Sequence, residues 1–207
     1  MGYSNPRSLA NALIKRPVVL VIFRTDSHSG FDRSPSKDAT QSQVTPSSLN
    51  AMTYDPYKVL ESLNIELPQP ATPKGSYMPM VIHDAMAYLS GALPTDQNGE
   101  LLAPGVVGIN VSLEEAAAAA RLCALNLMAR LQADLGSLAK VRRWIKITGF
   151  VASAPSFTGQ PQVINGASDF LVEVFGDLGK HARSAVGVAA LPLGSSVEIE
   201  AIVEIWP

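Results

Sequence analysis

Residues 112–136 read SLEEAAAAARLCALNLMARLQADLG, and this stretch decides the fold. Ser112 and Glu115 have the spacing of a capping box, in which each side chain accepts a hydrogen bond from the other residue's backbone N–H at the start of a helix. Gly136 suits the end of that helix. Apolar residues recur between these limits at Ala117, Ala120, Ala124, Leu127, Leu131 and Leu135, with Leu122, Leu125 and Met128 beside them. The spacing predicts a long helix whose alanine-rich face lies close against a β-sheet.

The chain after this helix predicts a strand, a second helix and two more strands. The first strand is expected over Val141–Val151, with Ile145, Ile147 and Val151 on one face and Trp144, Lys146 and Phe150 on the other. The second helix is expected from Pro161 to Gly176, with an apolar stripe of Val163, Ile164, Ala167, Phe170, Leu171 and Val174. The last two strands are expected over Ser184–Ala189 and Ser196–Ile205, and the second of these alternates apolar with mostly acidic residues.

Two short strands are expected ahead of the long helix, over Tyr77–Ile82 and Met86–Ser90. Only residues 83–85 separate them, so we expect an antiparallel hairpin. A short helix over Pro56–Leu63 precedes the hairpin, because Asp55 can cap it and proline suits the first helical position.

The order β-β-α-β-α-β-β predicts an α+β fold in which two long helices cover one face of a mixed sheet. The other face would carry Trp144 and Ile202, which are costly to leave in water. We therefore expect copies of the chain to associate through that face, since a closed symmetric ring covers it on every subunit.

Residues 1–51 differ in composition from the rest and are interpreted as an extension to a domain spanning residues 52–207. Six basic residues oppose three acidic ones there, a net charge of +3. The part from Thr25 to Asn50 is polar and lacks apolar periodicity, which is typical of disordered or loosely attached chain. A targeting peptide over residues 1–24, a regulatory tail, and translated sequence upstream of a start at Met52 all remain open.

Composition excludes several classes of site. The net charge of −2 and pI near 5.9 give no general attraction for nucleic acid. Cys123 is the only cysteine, so an intrachain disulfide and a cysteine zinc site are excluded, and a reducing compartment is favoured. The cytoplasm is the simplest location, and an organelle is the alternative if residues 1–24 are a targeting peptide.

No apolar run approaches the roughly 18 residues of a membrane span. His83 and His181 lack ligand spacing, so no metal site is expected.

Specific motifs resemble the RidA/YjgF family, also called the endoribonuclease L-PSP family. The C-terminal motifs are HARSAVGVAALP at 181–192 and VEIEAI at 197–202. GSY at 75–77, SGALP at 90–94, GFV at 149–151 and VIN at 163–165 follow in the order that the family shows. The resemblance spans about residues 75–206 and is strongest to a longer branch in which a short N-terminal helix precedes the first strand.

The resemblance implies a chorismate-mutase-like fold, a homotrimer, and clefts between subunits that bind small carboxylic acids. Well-known family members hydrolyse reactive 2-imino acids and their enamines to 2-keto acids and ammonia, as 2-iminobutanoate or 2-iminopropanoate deaminases. No cofactor is implied.

The resemblance also assigns two catalytic residues. Arg183 matches the arginine that holds the substrate carboxylate, a task that suits the planar fork of a guanidinium. Glu198 matches the glutamate that orients the attacking water, whose proton a carboxylate accepts. Without the resemblance, Arg183 would be a surface arginine and Glu198 one of several glutamates along a solvated strand face.

Five further positions are expected to contact the substrate. Tyr77 would line the cleft from the neighbouring subunit, and the backbone at Ser90 and Gly91 would approach the ligand, since glycine lacks a Cβ. Asn165 would hydrogen-bond near the ligand, although a local structural contact is an equal alternative. Ala185 stands where many family members have a cysteine, which leaves the exact substrate open.

Two other functions compete with the deaminase interpretation. A regulatory or protective trimer of the same fold would bind a small carboxylate without turnover. An endoribonuclease or translation inhibitor ranks last, because the sequence supplies neither a basic groove with stacking aromatics nor an obvious acid–base pair.

Overall fold

The computed structural model describes residues 55–73 and 75–207. The predicted extension over residues 1–51, and the domain boundary at residue 52, lie outside the described residues.

The described chain forms a five-stranded mixed sheet with two long helices and one short one. The helices are α1 (Pro56–Ser62), α2 (Leu113–Leu135) and α3 (Gln160–Phe175), and the strands are β1 (Met80–His83), β2 (Met86–Ala92), β3 (Val141–Ala152), β4 (Ala182–Val188) and β5 (Val197–Ile205). The strands are arranged β1-β2-β5-β3-β4, with only the β3–β4 pair parallel. The predicted α+β class, the element order and the mixed sheet are confirmed.

The predicted helix limits of α2 are confirmed. Ser112 Oγ accepts a hydrogen bond from the Glu115 N–H at 3.2 Å, and a Glu115 carboxylate oxygen accepts one from the Ser112 N–H at 2.8 Å. The Ser112 N–H, and after it the Ser112 side chain, lower the pKa of Glu115, because hydrogen bonds to the carboxylate favour its charged form. Gly136 ends the helix with a φ of 81°.

Helices α2 and α3 pack against each other as well as on the sheet. The whole predicted stripe of α3 is buried. On α2, Ala120, Ala124, Leu127, Met128, Leu131 and Leu135 are buried as predicted, and Ala116, Ala119 and Cys123 join them, whereas Ala117, Leu122 and Leu125 are only half-buried. A Cβ on Gly166 of α3 would overlap the Ala117 carbonyl of α2. The backbones of the two helices therefore approach each other closely at this point, where only a glycine fits.

The predicted face assignment in β3 is wrong for Trp144. Its side chain is fully buried on the helix side of the sheet and packs on Phe175, with ring centroids 5.7 Å apart. Register shifts occur on both sides of it, between Val141 and Arg143 and between Trp144 and Lys146. Such irregularities reset the alternation of side chains, so strict counting from Ile147 placed Trp144 on the wrong face.

The first strand is also shorter than predicted. It begins at Met80 rather than Tyr77, and Pro79 stands immediately before it. Proline has no N–H to donate to a ladder, so the strand cannot extend back through that position.

The sheet face opposite the helices is open in the single chain, and it carries apolar residues. Val81, Tyr88 and Val186 have exposed fractions of 52%, 44% and 42%. Ile202 on β5 is half-buried and lies between Tyr88 of β2 and Lys146 of β3 in the register. The expected apolar content of this face is therefore present, although Trp144 is not part of it.

The Gly166 contact tests how the two helices pack. We expect Gly166→Ala to reduce the free energy of unfolding by about 1–3 kcal/mol, because the added methyl group overlaps a carbonyl of α2. That overlap should outweigh the roughly 1 kcal/mol that alanine gains over glycine in a helix. Urea denaturation measures the change, with Gln162→Ala at an exposed position of α3 as the control. A Gly166→Ala protein more stable than the original would contradict this packing.

Candidate active site

Arg183 lies on the edge strand β4 and points toward helix α3. Its register partner on β3 is Ile147, which is fully buried on the helix side of the sheet. One guanidinium nitrogen, Nη1, donates hydrogen bonds to Asn165 Oδ1 at 2.8 Å and to Ser168 Oγ at 3.0 Å. Asn165 and Ser168 are three residues apart, so both reach the same point from one face of α3. These two hydrogen bonds hold the Nη1 end of the guanidinium group in place.

His181 extends this group of hydrogen bonds. Its Nδ1 lies 2.6 Å from the Gly179 carbonyl oxygen, and its Nε2 lies 3.1 Å from Ser168 Oγ. A carbonyl only accepts, so Nδ1 carries the proton and Nε2 accepts from the Ser168 hydroxyl. Burial, followed by the charge of Arg183, lowers the pKa of His181 and favours this neutral form. We call Arg183, Asn165, Ser168 and His181 the arginine cluster.

Glu198 lies on β5 and points toward the open face. Its neighbours Val197 and Ile199 are fully buried on the helix side, and Glu198 itself is half-buried. Desolvation raises the pKa of Glu198, and the negative charge of Glu200 raises it further. A carboxylate with a raised pKa is a better proton acceptor than an ordinary surface glutamate, which suits it to general base chemistry.

Gly91 lies directly beside that carboxylate. The pairing of β2 with β5 is irregular between Leu89 and Ala92, which brings the Gly91 backbone beside Glu198. A Cβ on Gly91 would overlap the Glu198 carboxylate. Glycine at this position is therefore what leaves room for Glu198.

Ser90 precedes Gly91 on β2, and it is hydrogen-bonded to the segment that carries Tyr77. Ser90 Oγ donates a hydrogen bond to the Met78 carbonyl at 2.8 Å, so its hydroxyl secures the segment that leads into β1. Tyr77, one residue earlier, has an exposed fraction of 53% and is free to contact another molecule. We call Glu198, Gly91, Ser90 and Tyr77 the glutamate cluster.

The two clusters do not meet within one chain. In the register, Arg183 aligns through Ile147 with Ala201, and Glu198 lies three positions away and two strands across. That separation is about 10 Å along the strands and about 10 Å across them. The side chains also leave the sheet on opposite faces. A small substrate held by Arg183 therefore cannot reach Glu198 of the same chain.

Ala185 lies on the Arg183 side of β4 as the register partner of Gly149, and it is half-buried. Cys123 is fully buried, and burial raises the pKa of its thiol well above the ordinary value, so it is a core residue as predicted.

Sequence reasoning missed Ser168 and His181. The sequence predicts only that His181 lacks the spacing of a metal ligand, and it carries no prediction for Ser168. The available signal was the i, i+3 spacing of Asn165 and Ser168, which places two short polar side chains on one helical face.

Within residues 55–73 and 75–207, no three His, Cys, Asp or Glu side chains gather in a way that could hold a metal ion. None of the helices in the described part of the chain is long and apolar enough to cross a membrane.

Comparisons with known proteins agree with this fold. A family model described as "YjgF/chorismate mutase-like, putative endoribonuclease" matches residues 58–205. Protein TCP17 of Trypanosoma cruzi is 45% identical over 147 residues, which cover 70% of this chain and 91% of that protein. The structure of Atu1372 from Agrobacterium tumefaciens, a protein of unknown function, shares 46% identity with a TM-score of 0.68, over 73% of this chain and 92% of the other. A "putative endoribonuclease" from Shewanella oneidensis shares 32% identity with a TM-score of 0.70, over 72% and 99% of the two chains.

These matches confirm the resemblance and the chorismate-mutase-like fold that it implies. They also extend the matched region toward the N-terminus, from the predicted residue 75 to residue 58, so that most of α1 falls inside it.

The coupling between Glu198 and Glu200 can be measured directly. We expect Glu200→Gln to move the Glu198 titration to lower pH, because it removes the like charge that disfavours the ionised form. Carbon-13 NMR titration of the side-chain carboxyl groups follows this change. Glu204→Gln, which removes the same charge further along β5, is the matched control. If the Glu198 titration is identical in the Glu200→Gln protein and in the unsubstituted one, burial alone sets its pKa.

Proposed function

Because the chain belongs to the YjgF/chorismate mutase-like family, we propose that it hydrolyses small 2-imino acids and their enamines to 2-keto acids and ammonia, at sites shared between two copies of the chain. The observation that carries this proposal is the state of Arg183. Two hydrogen bonds hold Nη1 in place, and the other N–H groups of the guanidinium have no partner among the described residues. An arginine fixed in this way presents its free donors to a carboxylate.

Glu198 would supply the proton transfers of the hydrolysis. The imino acid reacts as its iminium form, protonated on nitrogen. Water adds to C2 while Glu198 accepts one of its protons, which gives a carbinolamine. Glu198 then returns that proton to the amine, the C–N bond breaks to release ammonia, and the hydroxyl proton passes to Glu198 as the C2 carbonyl forms. The raised pKa of Glu198 supports both steps, since the same group must accept and donate a proton near neutral pH.

A neighbouring copy of the chain would bring the two clusters together. Glu198 points toward the open sheet face, and this face also exposes Val81, Tyr88 and Val186. Exposed apolar patches mark interaction surfaces. A cyclic homotrimer would cover the open face of every subunit and place the arginine cluster of one subunit against the glutamate cluster of the next.

Ser90, Gly91 and Tyr77 take more limited roles in this proposal. Gly91 leaves space for the Glu198 carboxylate, and Ser90 holds the backbone on which exposed Tyr77 lies. Tyr77 would then close the cleft over the substrate. Asn165 acts through Arg183, whose Nη1 donates a hydrogen bond to its Oδ1.

A carboxylate-binding regulator is the alternative that the same arginine cluster allows, because binding does not require Glu198. The endoribonuclease in the family description remains the weaker proposal. His83 is exposed on the β1–β2 hairpin beside Asp84, and His181 is tied to Gly179 and Ser168, so these two histidines are not an acid–base pair. Without such a pair the described residues offer RNA cleavage no evident chemistry.

A coupled assay tests the function. Threonine dehydratase or an amino-acid oxidase generates the imino acid, and release of keto acid and ammonia is followed with and without the protein. We expect faster release, lost in Arg183→Ala and reduced about 10²- to 10⁴-fold in Glu198→Gln. Arg121→Ala is the matched control, because Arg121 pairs with Glu173 at the surface and should leave turnover intact.

The other outcomes separate the alternatives. No acceleration with several imino acids, together with Arg183-dependent binding of 2-oxobutanoate, would favour the regulator and contradict the deaminase. Cleavage of RNA that disappears in Glu198→Gln would favour the endoribonuclease.

A further inference from the structure

The arginine cluster makes more hydrogen bonds than are needed to hold the Arg183 guanidinium against helix α3. Asn165 alone would tie Arg183 to α3, yet Ser168 makes a second hydrogen bond to the same nitrogen and is itself bonded to His181. The result is a chain of hydrogen bonds that runs from the guanidinium through a hydroxyl and an imidazole to a backbone carbonyl.

We propose that Ser168 and His181 are positioning residues, which form a one-way hydrogen-bond relay that holds the Arg183 guanidinium in the orientation required by a substrate carboxylate. The inference rests on the proposed function, in which Arg183 binds that carboxylate. It adds two residues, neither of which touches the substrate.

The direction of the relay follows from its ends. The Arg183 guanidinium only donates, and the Gly179 carbonyl only accepts. Ser168 must therefore accept from Arg183, which leaves its own proton for His181 Nε2, while His181 Nδ1–H donates to Gly179. Each donor and each acceptor along the path has a partner, so the Ser168 hydroxyl cannot rotate without losing a hydrogen bond. A relay satisfied in this way holds its members in one geometry.

The far end of the relay is rigid. Gly179 is buried, and a Cβ there would overlap the Leu171 carbonyl of α3. The carbonyl that receives the His181 proton is thus packed against the same helix that carries Ser168. Both anchors of the relay lie on or against α3, whereas Arg183 projects from β4.

The Ser168 hydroxyl also lacks the hydrogen bond that is usual for a serine inside a helix. A serine inside a helix commonly donates to the carbonyl four residues earlier. Here it bonds two side chains from the β4 region instead. These two hydrogen bonds link helix α3 to the guanidinium. They contribute nothing to the stability of the helix itself.

Neutral His181 is required, because only the neutral ring accepts at Nε2. Arg183, which lies two residues further along at the start of β4, is the charge that acts on it, and Lys146 on β3 is the register partner of the adjacent Ala182. On α3, Asp169 follows Ser168 and is exposed, and Lys180 forms an exposed ion pair with Asp177. Protonation of His181 would place a second positive charge beside Arg183 and would make Nε2 a donor, leaving the Ser168 proton without its acceptor. The relay should therefore fail on acidification.

The experiment measures binding of 2-oxobutanoate, a stable keto acid, by calorimetry and measures imine turnover by the coupled assay. We expect Ser168→Ala and His181→Leu to raise Kd and KM roughly ten- to hundredfold, with a smaller change in kcat. Ser168→Thr, which keeps the hydroxyl, and His181→Gln, which keeps an acceptor near Nε2, should restore most of the affinity. Ser62→Ala on α1 is the serine control.

The pH dependence of binding distinguishes the relay from a merely structural role, because substitution of a merely structural residue would leave that pH dependence unchanged. Affinity for 2-oxobutanoate should fall as the pH decreases from about 7.5 to 5 in the original protein and stay level in His181→Gln. Melting temperatures of all variants show whether each protein is folded.

The outcomes distinguish the relay from the function it serves. If Arg183→Ala weakens keto-acid binding while Ser168→Ala and His181→Leu do not, the relay is overturned and the arginine clamp stands. Tighter binding on acidification would also overturn the relay. If no imine is hydrolysed but the variants still change keto-acid affinity as expected, the relay stands and the deaminase proposal fails.

Discussion

The pleat of the β-sheet is the constraint on which the rest of the molecule depends. Successive side chains of a strand leave opposite faces, so the register of β3 with β4 and β5 sends Arg183 toward α3 and Glu198 toward the open face. Helices α2 and α3 bury one face over the central strands β2, β5 and β3. Whatever covers the other face must come from outside the described chain. In the proposed function, a second copy covers this face and supplies the residue that each half-site lacks.

The architecture could be predicted from the sequence because its signals are local. The capping box, the alanine-rich stripe of α2 and the apolar stripe of α3 each fix an element without reference to the rest of the chain. The wrong face was predicted for Trp144 because its position depends on non-local pairing. Two register shifts in β3 depend on its pairing with β5, and no count of residues along one strand reveals them.

The site could be predicted only in part. Arg183, Glu198 and Gly91 stand in motifs that family resemblance identifies, and the structure gives each a suitable environment. Resemblance did not indicate that Asn165 holds the arginine, nor that Ser168 and His181 extend that contact. Those hydrogen bonds arise where α3 crosses beside β4, and this crossing is set by tertiary packing, including the close approach at Gly166. Local sequence carries little information about such a crossing.

Subunit complementation tests the central claim, that two chains build each active site, most directly. Arg183→Ala and Glu198→Gln proteins, each inactive alone, are co-expressed with different tags, and assemblies containing both are isolated and assayed for imine hydrolysis. In a cyclic trimer with the two residues contributed by adjacent subunits, every assembly that contains both variants has one intact site of three, so the isolated mixed assemblies should regain about a third of the original activity. Mixed assemblies that remain inactive would show that both residues must belong to one chain, and would contradict the shared site.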